Sequence, residues 1–229
     1  MEILFLRHGE PAWIDEGRGM LDPRLTERGL RQAELAAARL ASDRRAITEV
    51  LVSPARRARE TAAPLLALLG KEGRIVDDLL ELRLPPTWQD APPADVMRVL
   101  HEARRRPLEA WWEGLEGGET FRDFHARVTA CIERVLHERG IERDAGPGPH
   151  ARLVPEIPGR IVVVAHGGTN AVALGHLLGL PPAPWEWERL ALGHASFARV
   201  RAIPLGDGHV FSLRAMNDVE HLPRDMRTG

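Results

Sequence analysis

The sequence predicts an α/β protein in three layers, with a mostly parallel central sheet flanked by helices on both faces. Three observations carry this expectation. Short, continuously apolar runs at Ile3–Leu6, Glu49–Val52 and Arg160–Ala165 lack the alternation of a half-exposed strand and read as strands buried on both faces. Stretches of helical periodicity separate them. Each run ends abruptly in polar residues and glycine or proline, as strands do on entering a loop.

In order along the chain, Ile3–Leu6 runs into Arg7-His8-Gly9. Leu25-Thr26 opens a helix with Thr26 as N-cap and Leu30, Ala33, Ala37 and Leu40 on its apolar face, Leu4, Leu30 and Leu40 being read as core. Glu49–Val52 ends at Ser53-Pro54, read as an N-cap followed by proline in the first helical position. That helix is expected to stop at Gly70, before a short strand at Arg74–Val76. Residues 84–94 hold four prolines and read as irregular chain, followed by helical stretches near 95–115 and 119–139. Four prolines and four glycines between Gly140 and Gly159 mark a loop, either a lid or unstructured. After Arg160–Ala165, His166-Gly167-Gly168 opens a helix running through Leu178. The chain closes with a hairpin, Phe197–Ile203 and Val210–Leu213 around Gly206-Asp207-Gly208. One domain over residues 1–229, with a helical insertion at about 84–115 and a Gly/Pro-rich loop at about 140–159, is the economical organisation.

Bulk properties narrow the function. The 229 residues are 44% hydrophobic and 28% charged, an ordinary globular composition with enough chain for a sizeable core. A net charge of −2 supplies no overall basic field for nucleic acid or a membrane surface, so any anion site must be a local concentration of positive groups. The lone cysteine, Cys131, lies at helical spacing from Val128, Ile132 and Val135 and reads as a buried structural thiol. No apolar stretch is long enough for a membrane span and the first residues do not resemble a signal peptide, so a cytoplasmic location is expected. His101, His125, His137, His176 and His209 show no metal-ligand spacing, and no metal site is expected.

Three strands end in positive or protonatable residues: Arg7-His8, then Arg56, Arg57 and Arg59 beyond Ser53, then His166. In parallel α/β sheets ligands bind at the carboxyl ends of the strands, near a switch in strand order. If these strands are neighbours, two histidines, at least two arginines and two helix N-termini share one crevice. Such a pocket suits a tetrahedral dianion, since guanidinium forks match phosphate oxygens and histidine can act as nucleophile or acid. At about 100° per residue Arg56, Arg57 and Arg59 point in three directions, and periodicity does not select among them.

Seven segments then resemble, in order, motifs of the histidine phosphatase superfamily, which includes the cofactor-dependent phosphoglycerate mutases. They are Leu6-Arg7-His8-Gly9-Glu10; Asp22 to Gly29, similar to D-x-x-L-T-x-x-G; Ser53 to Thr61, similar to S-x-x-x-R-A-x-x-T; Leu79-Leu80-Glu81-Leu82; Gly117 to Phe121 with Arg127-Val128; Val164 to Gly168; and Asn217 to Leu222. The resemblance implies a phosphoglycerate mutase-like fold and selects Arg57. It also implies that His8 attacks phosphorus and becomes phosphohistidine. Arg7, Arg57, His166 and the Gly167 backbone would bind the transferring phosphoryl group, and Glu81 would protonate the leaving oxygen. One branch of the family carries Asp directly after the second histidine; Gly167 stands there, which moves the acid to Glu81. Glu10, the rival, is read as a pocket-rim or backbone-binding residue.

Mutases carry Asn soon after R-H-G-E where this chain has Ile14, and residues Pro85–Arg106 lack their basic, tyrosine-containing segment. Both departures favour hydrolysis. The expected function is a metal-independent phosphatase acting on a small phosphorylated metabolite, with no cofactor and with neither nucleic acid nor membrane as partner. Homodimer formation is left open. The alternatives are mutase-type phosphoryl transfer and a non-catalytic phosphate-binding protein. Trp111, Trp112, Trp185 and Trp187 are candidates either for a substrate wall or for helix packing.

Overall fold

A computed structural model describes residues 1–143, 152–153 and 159–229. The Gly/Pro-rich loop expected at 140–159 therefore lies largely outside the described residues. Six principal strands form one sheet: β1 (Glu2–Arg7), β2 (Glu49–Val52), β3 (Arg74–Ile75), β4 (Arg160–Ala165), β5 (Phe197–Leu205) and β6 (Gly208–Asp218). Their order is β3-β2-β4-β1-β5-β6, and two-residue strands at Arg152–Leu153 and Glu142–Arg143 extend the edge beyond β6. The pairings β3-β2, β2-β4 and β4-β1 are parallel, while β1-β5 and β5-β6 are antiparallel, so of the six only β5 runs against the rest.

The continuous apolar runs are explained by helices on both faces. In β1, Ile3 and Phe5 enter one core with Val128, Ile132, Val172 and Leu174, whereas Leu4 and Leu6 enter the opposite core with Ala36, Ala62 and Leu65. Strand β4 divides the same way, Ile161 and Val163 to one side and Val162 and Val164 to the other. Helices α1 (Glu27–Ala41) and α2 (Arg56–Leu69) thus cover one face. Helices α4 (Phe121–His137) and α5 (Gly167–Leu177) cover the other. The insertion between α2 and α4 holds α3 (Pro93–Arg104) and a 3-10 segment at Leu108–Glu113, and a short α6 (Glu186–Arg189) follows α5. Cys131 is buried in the α4 core, and burial pushes its thiol up to about 11. No helix among the described residues is long and apolar enough to cross a membrane.

Two local expectations are corrected. Leu30 is 46% exposed, because α1 turns Gly29, Gln32, Ala33, Ala36, Ala37 and Leu40 inward instead. The apolar face is rotated by the demands of Gln32, a buried amide whose hydrogen bonds are all made inside. Ser53-Pro54 does not start α2: the helix begins at Arg56, two residues later, and Ala55 at the N-cap offers no side-chain bond. The Arg56 N–H is capped from a distance by Asp22, at 2.8 Å, which frees the Ser53 hydroxyl for the site. Thr26 does cap α1, accepting from Gly29 N at 3.0 Å, and Gly70 ends α2 in the left-handed conformation.

Candidate active site

The strands carrying the candidate residues are neighbours, in the order β2-β4-β1, and their carboxyl ends open onto a cavity of about 1420 Å³. Arg7, His8, Arg57, Glu81, Gly167 and Gly168 all line it. His166 is fully buried beside His8, ring centroids 5.1 Å apart and edge to face.

The loop after β1 is held against α1 and α2. Gly9 N donates to Thr61 Oγ1 at 3.0 Å, and the same hydroxyl donates to the Arg57 carbonyl at 2.7 Å, tying the histidine loop to the turn that carries Arg57. The loop also crosses the start of α1 so closely that a Cβ on Gly9 would sit 2.5 Å from the Gly29 carbonyl oxygen, and one on Gly29 2.2 Å from that of Glu10. Both motif glycines are therefore required by backbone contact.

Hydrogen bonding determines the His8 tautomer. A backbone carbonyl can only accept, so Nδ1, 2.7 Å from Gly9 O, carries the proton. The lone pair is left on Nε2, which receives the Arg57 Nε–H at 3.3 Å. Burial, and after it the Arg57 charge, hold His8 well below the usual histidine range; the same two causes act on His166. Both rings are neutral near pH 7. The Ser53 hydroxyl lies 2.8 Å from His166 Nε2, while Nδ1 has no partner among the described residues.

Three arginine assignments separate cleanly. Arg57 is buried, faces Asp22 at 3.6 Å and lies 5.0 Å from the Trp13 ring centre. Arg56 is exposed and paired with Glu60 at 2.7 Å, and Arg59 is exposed. Arg7 gives one terminal nitrogen to the Leu192 carbonyl and the other to His194 Nε2 at 3.2 Å. Its buried Nε, beside Gly167, has no partner among the described residues.

Glu81 is clamped at the N-terminus of α5. Its Oε2 accepts from Gly168 N at 2.8 Å and its Oε1 from Thr169 N at 3.0 Å, so helix-end N–H groups orient the carboxylate. A Cβ on Gly168 would stand 2.5 Å from Oε1, so any larger residue would displace the carboxylate from this position. Burial pulls the Arg7 and Arg57 guanidiniums down from their ordinary values, and the Glu81 charge opposes that in both, placing its carboxylate in their field. The segment bearing Glu81 is anchored by Arg127 of α4. This side chain donates to the carbonyls of Asp78, Leu80 and Glu81 and forms a two-pronged pair with Glu119 at 2.7 and 2.9 Å.

Glu10 is not on the cavity wall. Its carboxylate accepts from Thr26 Oγ1 at 2.9 Å and pairs with Arg28 at 3.2 Å, so the pocket-rim reading gives way to a loop-bracing one. Of the tryptophans, Trp13 and Trp187 line the cavity, whereas Trp111 packs on Trp185 and Trp112 on Phe121. Sequence reasoning missed His194, whose ring lies 5.8 Å from that of His8, and the partnership of Ser53 with His166. A lone histidine in a loop carries no local signal. Glu119 and Arg127 could have been paired from their motif positions, eight residues apart around the start of one helix.

The fold gathers strand-end guanidiniums and a neutral histidine at one cavity, an arrangement that suits a tetrahedral oxyanion. Comparison with known proteins is consistent with that geometry: residues 3–218 match the family model described as histidine phosphatase superfamily (branch 1), and the chain belongs to this superfamily. It is 28% identical over 204 residues to a probable phosphoglycerate mutase GpmB of Yersinia enterocolitica, covering 87% of this chain and 84% of the relative. It is 27% identical to the phosphoglycerate mutase-like protein 4 of Arabidopsis thaliana, covering 96% and 86%. Among solved structures it resembles a mycobacterial glucosyl-3-phosphoglycerate phosphatase, with 28% identity, a TM-score of 0.69 and coverage of 94% of this chain and 98% of the other.

Proposed function

We propose that the chain hydrolyses a small phosphate monoester through a phosphohistidine formed on Nε2 of His8. The observation that carries this reading is the His8 tautomer: a buried, neutral ring with its proton committed to Gly9 O and its lone pair on the nitrogen facing Arg57. A bound phosphoryl group takes the Arg57 and Arg7 N–H donors, and His166, in the tautomer whose Nε2 accepts from the Ser53 hydroxyl, supplies Nδ1–H as a further donor beside the Gly167 backbone. His8 Nε2 attacks phosphorus as the bond to the leaving oxygen breaks, and that oxygen takes its proton from Glu81, which enters this step as the carboxylic acid. Water then attacks phosphorus and gives a proton back to Glu81. The P–N bond breaks, releasing inorganic phosphate and neutral His8. Charge stabilisation by fixed donors is the main contribution such a site makes to phosphoryl transfer. Every step calls on the chain's own side chains and none on a metal.

The cavity of about 1420 Å³ exceeds what one phosphate fills and leaves room for the alcohol portion, against walls that include Trp13 and Trp187. A second reading, phosphoryl transfer between hydroxyls, is favoured by the names of the Yersinia and Arabidopsis relatives. One experiment separates the two. Wild type and His8→Ala are incubated with a chromogenic phosphate ester in excess chelator, then with a panel including phosphoglycerates and a glycosylated phosphoglycerate. Hydrolysis by wild type that persists in chelator and disappears in His8→Ala is expected. Absence of hydrolysis across the panel, or turnover surviving in His8→Ala, contradicts the reading. Conversion of 3- to 2-phosphoglycerate that requires added bisphosphoglycerate establishes the second.

A further inference from the structure

His194 forms no part of the cavity wall, yet it holds Arg7, the cavity arginine next to His8. Arginine has donors only, so at 3.2 Å His194 Nε2 must accept from Arg7. The proton of a neutral ring then sits on Nδ1, which donates to Thr228 Oγ1 at 2.9 Å. The Thr228 oxygen accepts a second bond from Gln32 Nε2 at 3.0 Å, and Gln32 Oε1 accepts from Glu10 N at 2.8 Å. A closed relay of four side chains drawn from residues 7, 32, 194 and 228 thus braces both ends of Arg7-His8-Gly9-Glu10. With its terminal nitrogens bound to Leu192 O and His194, the Arg7 guanidinium is turned so that its buried, unpartnered Nε lies beside Gly167.

We infer that His194 is a positioning residue, whose neutral Nδ1–H form holds Arg7 in the orientation that presents Nε to the phosphoryl group. This rests on the proposed phosphate chemistry and adds to it a third histidine that acts without touching substrate. Protonation would remove the acceptor and place a second positive charge against Arg7. The groups facing the ring are Arg7 and His8 from the end of β1, Glu10 from the loop beyond and the Thr228 hydroxyl. Burial first, and Arg7 after it, bring His194 down to about 4 against the opposing pull of Glu10, so the acceptor form persists across neutral and mildly acidic pH.

Three substitutions test the inference. In His194→Gln the amide oxygen reaches the place of Nε2 and can accept from Arg7. In His194→Asn the amide sits where Nδ1 was, so it can keep Thr228 but cannot reach Arg7. His194→Leu keeps neither. For each, kcat and KM on a chromogenic ester, the affinity for inorganic phosphate by calorimetry, and Tm are measured. The expected result is that Gln retains most of the wild-type kcat/KM and phosphate affinity, while Asn and Leu each lose about tenfold or more in both, the scale of a lost bond from a charged donor. If Gln is as impaired as Leu, if Asn matches wild type, or if phosphate affinity is unchanged while Tm falls in all three, the inference is overturned. A wild-type chain that neither turns over the ester nor binds phosphate overturns the proposed function and this inference together, whereas an active wild type with an unimpaired Asn variant overturns only the role of His194.

Discussion

Arg57 Nε lies 3.3 Å from His8 Nε2, the ring nitrogen that carries the lone pair. Burial, and after it this one charged side chain beside the lone pair, keep the ring unprotonated. In the proposed mechanism, the arginine that binds the phosphate also adds to burial in keeping the nucleophile unprotonated.

That coupling sets a pH dependence. The His8 value is depressed from the usual 6.5, so the attacking form should survive as pH is lowered through 6.5. After allowance for the ester's own ionisation, the acid limb of kcat/KM should lie below that value. A limb at or above 6.5 would show that Arg57 and burial do not control the ring.

The same shifts affect stability. His8 and His166 both have folded values well below 6.5, so below that pH the unfolded chain takes up protons that the folded chain refuses. The histidine contribution is intact above 6.5 and is lost as pH falls toward the folded values. Thermal melts should show Tm declining between pH 6.5 and about 5, before carboxylates protonate. Replacing both residues with Gln should flatten that slope; a Tm that rises on acidification would reverse the sign and refute the argument.

Glu81, as the acid, should matter in proportion to how much the leaving group needs a proton. Glu81→Gln preserves an oxygen that can accept from Gly168 or Thr169 but has no proton to transfer. Hydrolysis of an alkyl phosphate should fall by on the order of 10² to 10⁴, the usual scale of general acid catalysis, and that of a nitrophenyl phosphate by much less. Equal losses on both esters would remove Glu81 from the acid role.

Arg127 is expected to act through Glu81. Its pair with Glu119 has side chains only 11% and 8% exposed, so Arg127→Met strands a buried carboxylate and releases three loop carbonyls. The cost should be about 3–5 kcal/mol in stability, read as a lower denaturant midpoint, together with a fall in kcat. Arg127→Lys should recover little, because an ammonium cannot reproduce the two-pronged pair. Near-full recovery by Lys would mean that charge alone, not geometry, anchors the loop.

What was legible in the sequence follows from what each signal measures. Strands β1 and β4 were readable because both of their faces are buried, which leaves an unbroken apolar run. Arg57 could be separated from Arg56 and Arg59 only through the family motif, since helical phase says which residues diverge and not where the pocket lies. Ser53 carried a good local capping signal, but its hydroxyl serves His166 and Asp22 caps the helix instead. Leu30 failed for the same reason, a local pattern overruled by the buried amide of Gln32. His194 and Thr228 were invisible because their meaning depends on contacts with Arg7 and Gln32 that lie far away in the chain.

The most direct test of the central claim is to trap the intermediate. Wild type and His8→Ala are mixed with a phosphate ester and quenched in base, where phosphohistidine persists, and the intact mass and phosphopeptides are read. The account predicts a mass gain of one phosphoryl group in wild type, located on His8 and absent from His8→Ala. Turnover with no phosphoryl-enzyme, or a phosphoryl group on any other residue, would contradict it.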